Sequence, residues 1–143
     1  MQRAATAVWN GTLKEGKGTI STASGVLSGT PYSFSTRFED GQGTNPEELI
    51  AAAHAGCFTM ALSAQLSTMN FTPESLRTKA TVSLEKLEAG WTISRVHLEV
   101  AAKVPGISAS AFESAAASAK ANCPVSRLLK AEITMTATLE QGA

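Results

Sequence analysis

Asn45-Pro46-Glu47-Glu48-Leu49-Ile50-Ala51-Ala52-Ala53-His54-Ala55-Gly56-Cys57-Phe58 opens a run of apolar and small residues that continues to Leu66. Asn45 is a residue type that caps helices, Pro46 suits the first helical position, and Glu48 falls three after the cap, a capping-box pattern. The helix predicted from Leu49 to Leu66 is apolar or small on almost every face, so it needs cover on most sides. A chain of 143 residues is long enough for one domain with a core, yet has little surface to surround such a helix. A second subunit is therefore expected to supply part of the cover.

Strand-like alternation flanks this helix. Ala5, Ala7 and Trp9 alternate with Thr6, Val8 and Asn10, Gly16-Lys17-Gly18 marks a turn, and Thr19 to Ala23 continues as a β-prone stretch. Ser28-Gly29-Thr30-Pro31 makes a second turn, and Tyr32 to Phe38 reads as a third strand, ended by Asp40-Gly41-Gln42-Gly43. Beyond Pro73, Ser75 to Leu87 and Trp91 to Val104 alternate across a turn at Glu88-Ala89-Gly90. Ser110 with Glu113 predicts a helix to about Lys120. Pro124 opens a short helical piece through Leu129, and Glu132 to Glu140 is a last strand. The order βββ-α-ββ-αα-β is α+β with antiparallel sheets. No repeat or linker divides residues 1–143, which read as a single domain.

Composition narrows the function classes. Hydrophobic residues make up 43% and charged residues 17%, a globular balance, and the net charge is zero. No Lys/Arg cluster argues for nucleic acid or an anionic membrane surface. Met1 to Leu13 lacks the apolar core of a secretory signal. The stretch from Leu49 to Ala64 falls short of the ~20 residues of a membrane span and contains His54. A cytoplasmic location follows, where two cysteines, Cys57 and Cys123, are reactive or metal-binding more often than a permanent staple.

Gly11 to Lys17 matches most of a phosphate-binding loop, but Gly18 stands where Ser or Thr should hold a metal, and a strand follows where a helix is required. A hairpin turn explains it better. His54 and Cys57 share a helix face, with Cys123 and His97 elsewhere, a set that could hold zinc; the spacing of paired ligands is missing. His54 reads as a hydrogen-bonded core or interface histidine. As a small hydrophobe, Cys57 alone could be structural. Two thiols in helical settings argue instead for redox chemistry, in which one is oxidised and the other captures it as a disulfide. A free thiol is only about 3% thiolate at neutral pH, so the reactive one needs a cation nearby. Arg37, one Gly-rich loop before the helix, is the nearest arginine in sequence; Glu47 could orient it. Local sequence alone names Cys123, at the N-cap-like position before Pro124, as the more acidic thiol.

Asn45-Pro46-Glu47-Glu48-Leu49 running into Ala51-Ala52-Ala53-His54-Ala55-Gly56-Cys57-Phe58, together with Ala121-Asn122-Cys123-Pro124-Val125-Ser126, resembles the OsmC/Ohr family of bacterial thiol peroxidases. Trp9-Asn10-Gly11 through Gly16-Lys17-Gly18 and Ser24-Gly25-Val26-Leu27 are closer to its OsmC (osmotically inducible protein C) branch. The resemblance implies an intertwined homodimer whose antiparallel sheets wrap long central helices, with active sites at the subunit interface. It also implies that Cys57 is peroxidatic and Cys123 resolving, with Arg37 and Glu47 as supporting charges. The expected activity is cofactor-free reduction of organic hydroperoxides, in a pocket lined by Phe38, Leu49, Ile50, Phe58 and Met60. An external dithiol, of lipoyl type in relatives, recycles the disulfide. The alternatives are a redox sensor or stress-responsive binding protein using the same cysteines, and a metal-binding structural protein.

Overall fold

The structure, a computed structural model, describes residues 1–140. Residues 141–143, the end of the expected 1–143 domain, lie outside the described residues. Two compact units are present, Met1–Leu49 and a second beginning at Ile50.

The first unit is a three-stranded antiparallel sheet followed by a short helix. Strands β1 (Ala5–Asn10), β2 (Lys17–Thr22) and β3 (Thr30–Tyr32) lie in sequence order. The loop-like glycines of Gly11 to Lys17 form the β1–β2 hairpin turn. Gly11 takes φ +102, and Gly16 N–H donates to Thr12 O at 2.7 Å. Gly18 lets two rings close over it. A Cβ there would stand 2.4 Å from Tyr32 Cε1 and 2.6 Å from Trp9 Cε3, whose rings tilt together with centroids 5.5 Å apart.

The expected strand from Tyr32 to Phe38 is not formed beyond Tyr32. Helix α1 (Phe34–Phe38) replaces it. Ser33 Oγ accepts the Thr36 N–H, while Ser33 N–H donates to Thr36 Oγ1 at 2.7 Å. That is a capping box with Thr in the place where Glu or Gln gives the usual signal. Phe34 and Phe38, which look alternate as strand residues, are an i, i+4 pair with ring centroids 4.9 Å apart. Arg37 is accordingly on a helix, in its last turn.

Helix α2 (Pro46–Thr68) begins where its caps predict. Asn45 Oδ1 accepts the Glu48 N–H at 2.8 Å, but the Glu48 carboxylate accepts from Thr44 Oγ1 at 2.7 Å and does not close the box on Asn45. At 23 residues the helix exceeds the apolar run read from sequence and is long and apolar enough to cross a membrane. One stripe of it packs as a core helix does. His54, Phe58, Leu62 and Leu66, at i, i+4 spacing, are fully buried. Its other side leaves Ala52, Ala53, Gly56, Met60 and Ala64 exposed, Met60 by 77%.

In the second unit β4 (Ser75–Leu87) and β5 (Gly90–Lys103) form a long antiparallel hairpin, and β6 (Glu132–Leu139) joins β5. The β5–β6 pairing is parallel, which corrects the expectation of wholly antiparallel sheets. Helices α3 (Ala109–Asn122) and α4 (Pro124–Leu128) form the crossover that a parallel neighbour requires. Ser108, not Ser110, caps α3, its Oγ accepting the Ala111 N–H at 3.1 Å. The Pro105-Gly106 turn, with Gly106 at φ +82, ends β5 early enough for the helix to start there. Val96, Leu98 and Val100 of β5 and Phe112, Ala116 and Ala119 of α3 pack with the buried stripe of α2 to make the core.

Candidate active site

Cys123 joins α3 to α4. Its N–H donates to Ala119 O at 2.9 Å, closing α3, and Pro124 begins α4 directly after it. The side chain is fully buried in the core between these helices and α2. Cys57 sits on α2, three residues before Met60 and one before the buried Phe58, at the edge of the core. The two sulfurs are 2.9 Å apart, with the Cys123 thiol donating to Cys57. Both thiols are free, and Cys57 is the more accessible, half-buried where Cys123 is wholly enclosed.

The backbone distribution around these sulfurs differs from the local sequence reading. Cys123 makes no side-chain capping bond at the start of α4. The Val125 N–H, one of the amides a helix start leaves free, is directed at Cys57 and favours its thiolate. Burial and the donating Cys123 thiol outweigh it, so the Cys57 thiol is pushed up from its ordinary range. The second unit therefore brings the thiols together without itself activating Cys57.

His54, one helical turn before Cys57, is fully buried, and its Nε2 lies 2.7 Å from Ser126 Oγ on α4. Nδ1 finds no hydrogen-bond partner among the described residues. Burial holds the imidazole below its usual range, so it is neutral near physiological pH. Sequence reasoning places His54 in the core but misses Ser126. His54 precedes Cys57 by three residues and Ser126 follows Cys123 by three, but only the fold pairs them. His97 is elsewhere, on β5, against Thr134 Oγ1 at 2.6 Å and Thr136 Oγ1 at 3.2 Å. Among the described residues no group of three or more His, Cys, Asp or Glu is arranged to hold a metal.

The first unit contains the charged pair. Arg37 Nε donates to Glu47 Oε1 at 2.9 Å and Nη2 to Oε2 at 3.1 Å, a bidentate fork. Arg37 Cζ stands 5.4 Å from the Phe38 ring centroid, a cation–π arrangement that further fixes the guanidinium. A cavity of about 270 Å³ opens beside it, lined by Trp9, Leu13, Tyr32, Phe34, Phe38 and Pro46 among others. Of the expected pocket residues only Phe38 lines this cavity. Phe58 is fully buried in the core of the second unit, and Met60 is exposed.

The lowered His54 pKa makes stability fall with acidity. Below the ordinary imidazole range, about 6.5, the unfolded chain takes up a proton that the folded state refuses, so unfolding gains as pH falls toward the folded pKa. Urea unfolding from neutral to mildly acidic pH should show this loss, with a shallower pH slope in His54→Gln; an identical slope would contradict the burial of a neutral imidazole.

The OsmC-like protein profile matches residues 39–138. The chain is 58% identical over 127 residues to the peroxiredoxin OsmC of Escherichia coli (strain K12), covering 89% of each. It is 32% identical over 100 residues to an organic hydroperoxide resistance protein of Xanthomonas axonopodis pv. citri, covering 69% of this chain and 68% of the relative. Among solved structures, an OsmC-like protein of unknown function from Vibrio cholerae superposes with a TM-score of 0.77 at 19% identity, covering 96% of this chain and 99% of that one. The organic hydroperoxide resistance protein OhrB of Bacillus subtilis does so with a TM-score of 0.68 at 22% identity, covering 96% and 98%. By profile and by identity across most of its length, the chain belongs to the OsmC-like protein family.

Proposed function

We infer that the chain is a cysteine peroxidase that reduces organic hydroperoxides to alcohols, a reading supported by the peroxiredoxin and hydroperoxide-resistance names of its relatives. The observation that carries it is the pair of free sulfurs 2.9 Å apart, one accessible and one enclosed. A peroxide reaches Cys57 before Cys123, so Cys57 is the peroxidatic thiol and Cys123 the resolving one. The Cys57 thiolate attacks the terminal peroxide oxygen, the O–O bond breaks, and the alkoxide leaves to take a proton and become the alcohol. The resulting sulfenic acid condenses with the Cys123 thiol, releasing water and forming the disulfide. An external dithiol of lipoyl type then reduces that disulfide by exchange and is itself oxidised.

A cation must favour the Cys57 thiolate, because burial and the Cys123 thiol push the other way. Arg37 takes that role and also stabilises the developing oxygen charge, with Glu47 holding its fork. The cavity beside Arg37, apolar in most of its lining, suits the alkyl part of the substrate. The active form is a homodimer. Two features support this: the exposed apolar side of α2, and a first unit whose buried side chains, Thr36, Thr44 and Glu47, are all polar. A small sheet without an apolar core of its own needs cover to be stable. The chain acts as a single-domain subunit in the cytoplasm, where dithiol reductants are maintained.

With excess organic hydroperoxide and a dithiol, the protein should consume many equivalents of peroxide. Consumption of one equivalent and no more would identify a sensor and not an enzyme. Arg37→Ala should raise the Cys57 pKa and slow peroxide attack about tenfold or more, with Glu47→Gln milder and Arg37→Lys only partly active. Alkylation rate against pH, in a Cys123→Ser background, measures the first effect; an unchanged profile would exclude Arg37 as the activating cation. Sedimentation at micromolar concentration should show a dimer that Met60→Glu weakens, and a folded wild-type monomer under those conditions would contradict the dimer.

A further inference from the structure

We propose that the buried His54–Ser126 bridge is a positioning device for disulfide closure, holding α4 on α2 so that Cys123 meets oxidised Cys57. The proposal rests on the peroxidase reading for its biological meaning, but its geometry does not depend on the oxidant.

Two helices carry the reacting sulfurs, and each sulfur has a bridge partner three residues away on its own chain segment. His54 is one turn before Cys57 on α2, and Ser126 is in the five-residue α4 that starts directly after Cys123. Their contact, 2.7 Å between Nε2 and Oγ, joins segments 72 residues apart in sequence. A helix as short as α4 makes too few internal hydrogen bonds to hold its own position. Its seat on α2 therefore depends on contacts outside its own backbone: the His54–Ser126 bridge, Cys123 itself, and Val125 and Leu129 packed against the core.

The condensation needs that seat to be accurate. Cys57–S–OH and HS–Cys123 become Cys57–S–S–Cys123, the sulfenic hydroxyl leaving as water with the Cys123 proton. From 2.9 Å the sulfurs must close by roughly 0.9 Å to reach the bonded distance of about 2.05 Å. An α4 free to drift would leave the sulfenic acid exposed to a second peroxide. An aliphatic side chain could fill the His54 site with no unpaired nitrogen, whereas the imidazole leaves buried Nδ1 without a partner among the described residues. A buried polar group kept at such a cost points to a task beyond filling space.

The test compares Ser126→Ala, Ser126→Thr and His54→Leu with wild type, using two oxidants. An organic hydroperoxide reads the competition between disulfide and sulfinic acid at Cys57 by mass spectrometry. Diamide, a diazene that accepts two electrons and two protons from a thiol pair, reads closure without any peroxide step. Ser126→Ala should slow closure with both oxidants and increase sulfinic acid by roughly two- to tenfold, the factor that one net hydrogen bond is worth. Ser126→Thr, which keeps the hydroxyl, should restore closure, a rescue that mere loss of packing would not give. If His54→Leu fails to fold, the two Ser126 variants decide alone. Closure at the wild-type rate in Ser126→Ala with both oxidants would overturn the proposal, as would failure of Ser126→Thr to differ from Ser126→Ala. Wild-type protein that closes with diamide but consumes no peroxide would overturn the peroxidase reading and leave the positioning role standing.

Discussion

The contact between Cys57 and Cys123 joins segments 66 residues apart, and it exists because three elements share one core. Phe58, Leu62 and Leu66 seat α2 on the sheet, Val96, Leu98 and Val100 supply the sheet's inner face, and Phe112, Ala116 and Ala119 bring α3 against both. The parallel return of β6 forces α3 and α4 across that face, and the α3–α4 joint delivers Cys123 to the edge of α2 where Cys57 emerges. Small residues on α3 matter here. Ala115, Ala116 and Ala119 are almost wholly buried, so the helix approaches closely enough for two short cysteine side chains to touch.

The same packing creates a chemical difficulty. Burial and the neighbouring Cys123 thiol disfavour the Cys57 thiolate, and the Val125 backbone only partly offsets this. A peroxidase built this way needs an external positive charge, held rigidly enough to act without reorganising. The Arg37–Glu47 fork, proposed for that role, has the rigidity it calls for, since a bidentate guanidinium keeps one orientation where an ammonium would rotate. Its own environment is local: α1 presents Arg37 because Ser33 and Thr36 cap each other, and the first turn of α2 presents Glu47 because Asn45 caps that helix. Asn45 Nδ2 also donates to Thr36 O at 2.9 Å, tying the two helix starts together.

What the sequence reveals is what local chemistry encodes. The start of α2 is legible because Asn45, Pro46 and Glu48 each have a distinct backbone role, and the β4–β5 hairpin because alternation runs long on both sides of Gly90. The family is legible because the residues around Cys57 and Cys123 are specific. Helix α1 is not, since a five-residue helix capped by Ser33, with Thr36 in place of the usual Glu or Gln, carries a pattern indistinguishable from alternation. Nor is the direction of β6, because pairing is a tertiary choice that the strand's own residues leave open. The Val125 amide misleads for a related reason. Sequence neighbours suggest it serves Cys123, whereas the fold turns it toward Cys57. His54 reads correctly as buried, yet its partner on α4 is visible only in three dimensions.

The central claim is that Cys57 is oxidised first and Cys123 captures it. Reduced Cys57→Ser and Cys123→Ser proteins, each given one equivalent of an organic hydroperoxide and a sulfenic-acid trap, test it most directly by peptide mass spectrometry. The account predicts trapped sulfenic acid on Cys57 in Cys123→Ser and no comparable oxidation of Cys123 in Cys57→Ser. Rapid oxidation of Cys123 in Cys57→Ser, with Cys57 inert in Cys123→Ser, would reverse the order of the thiols and contradict it.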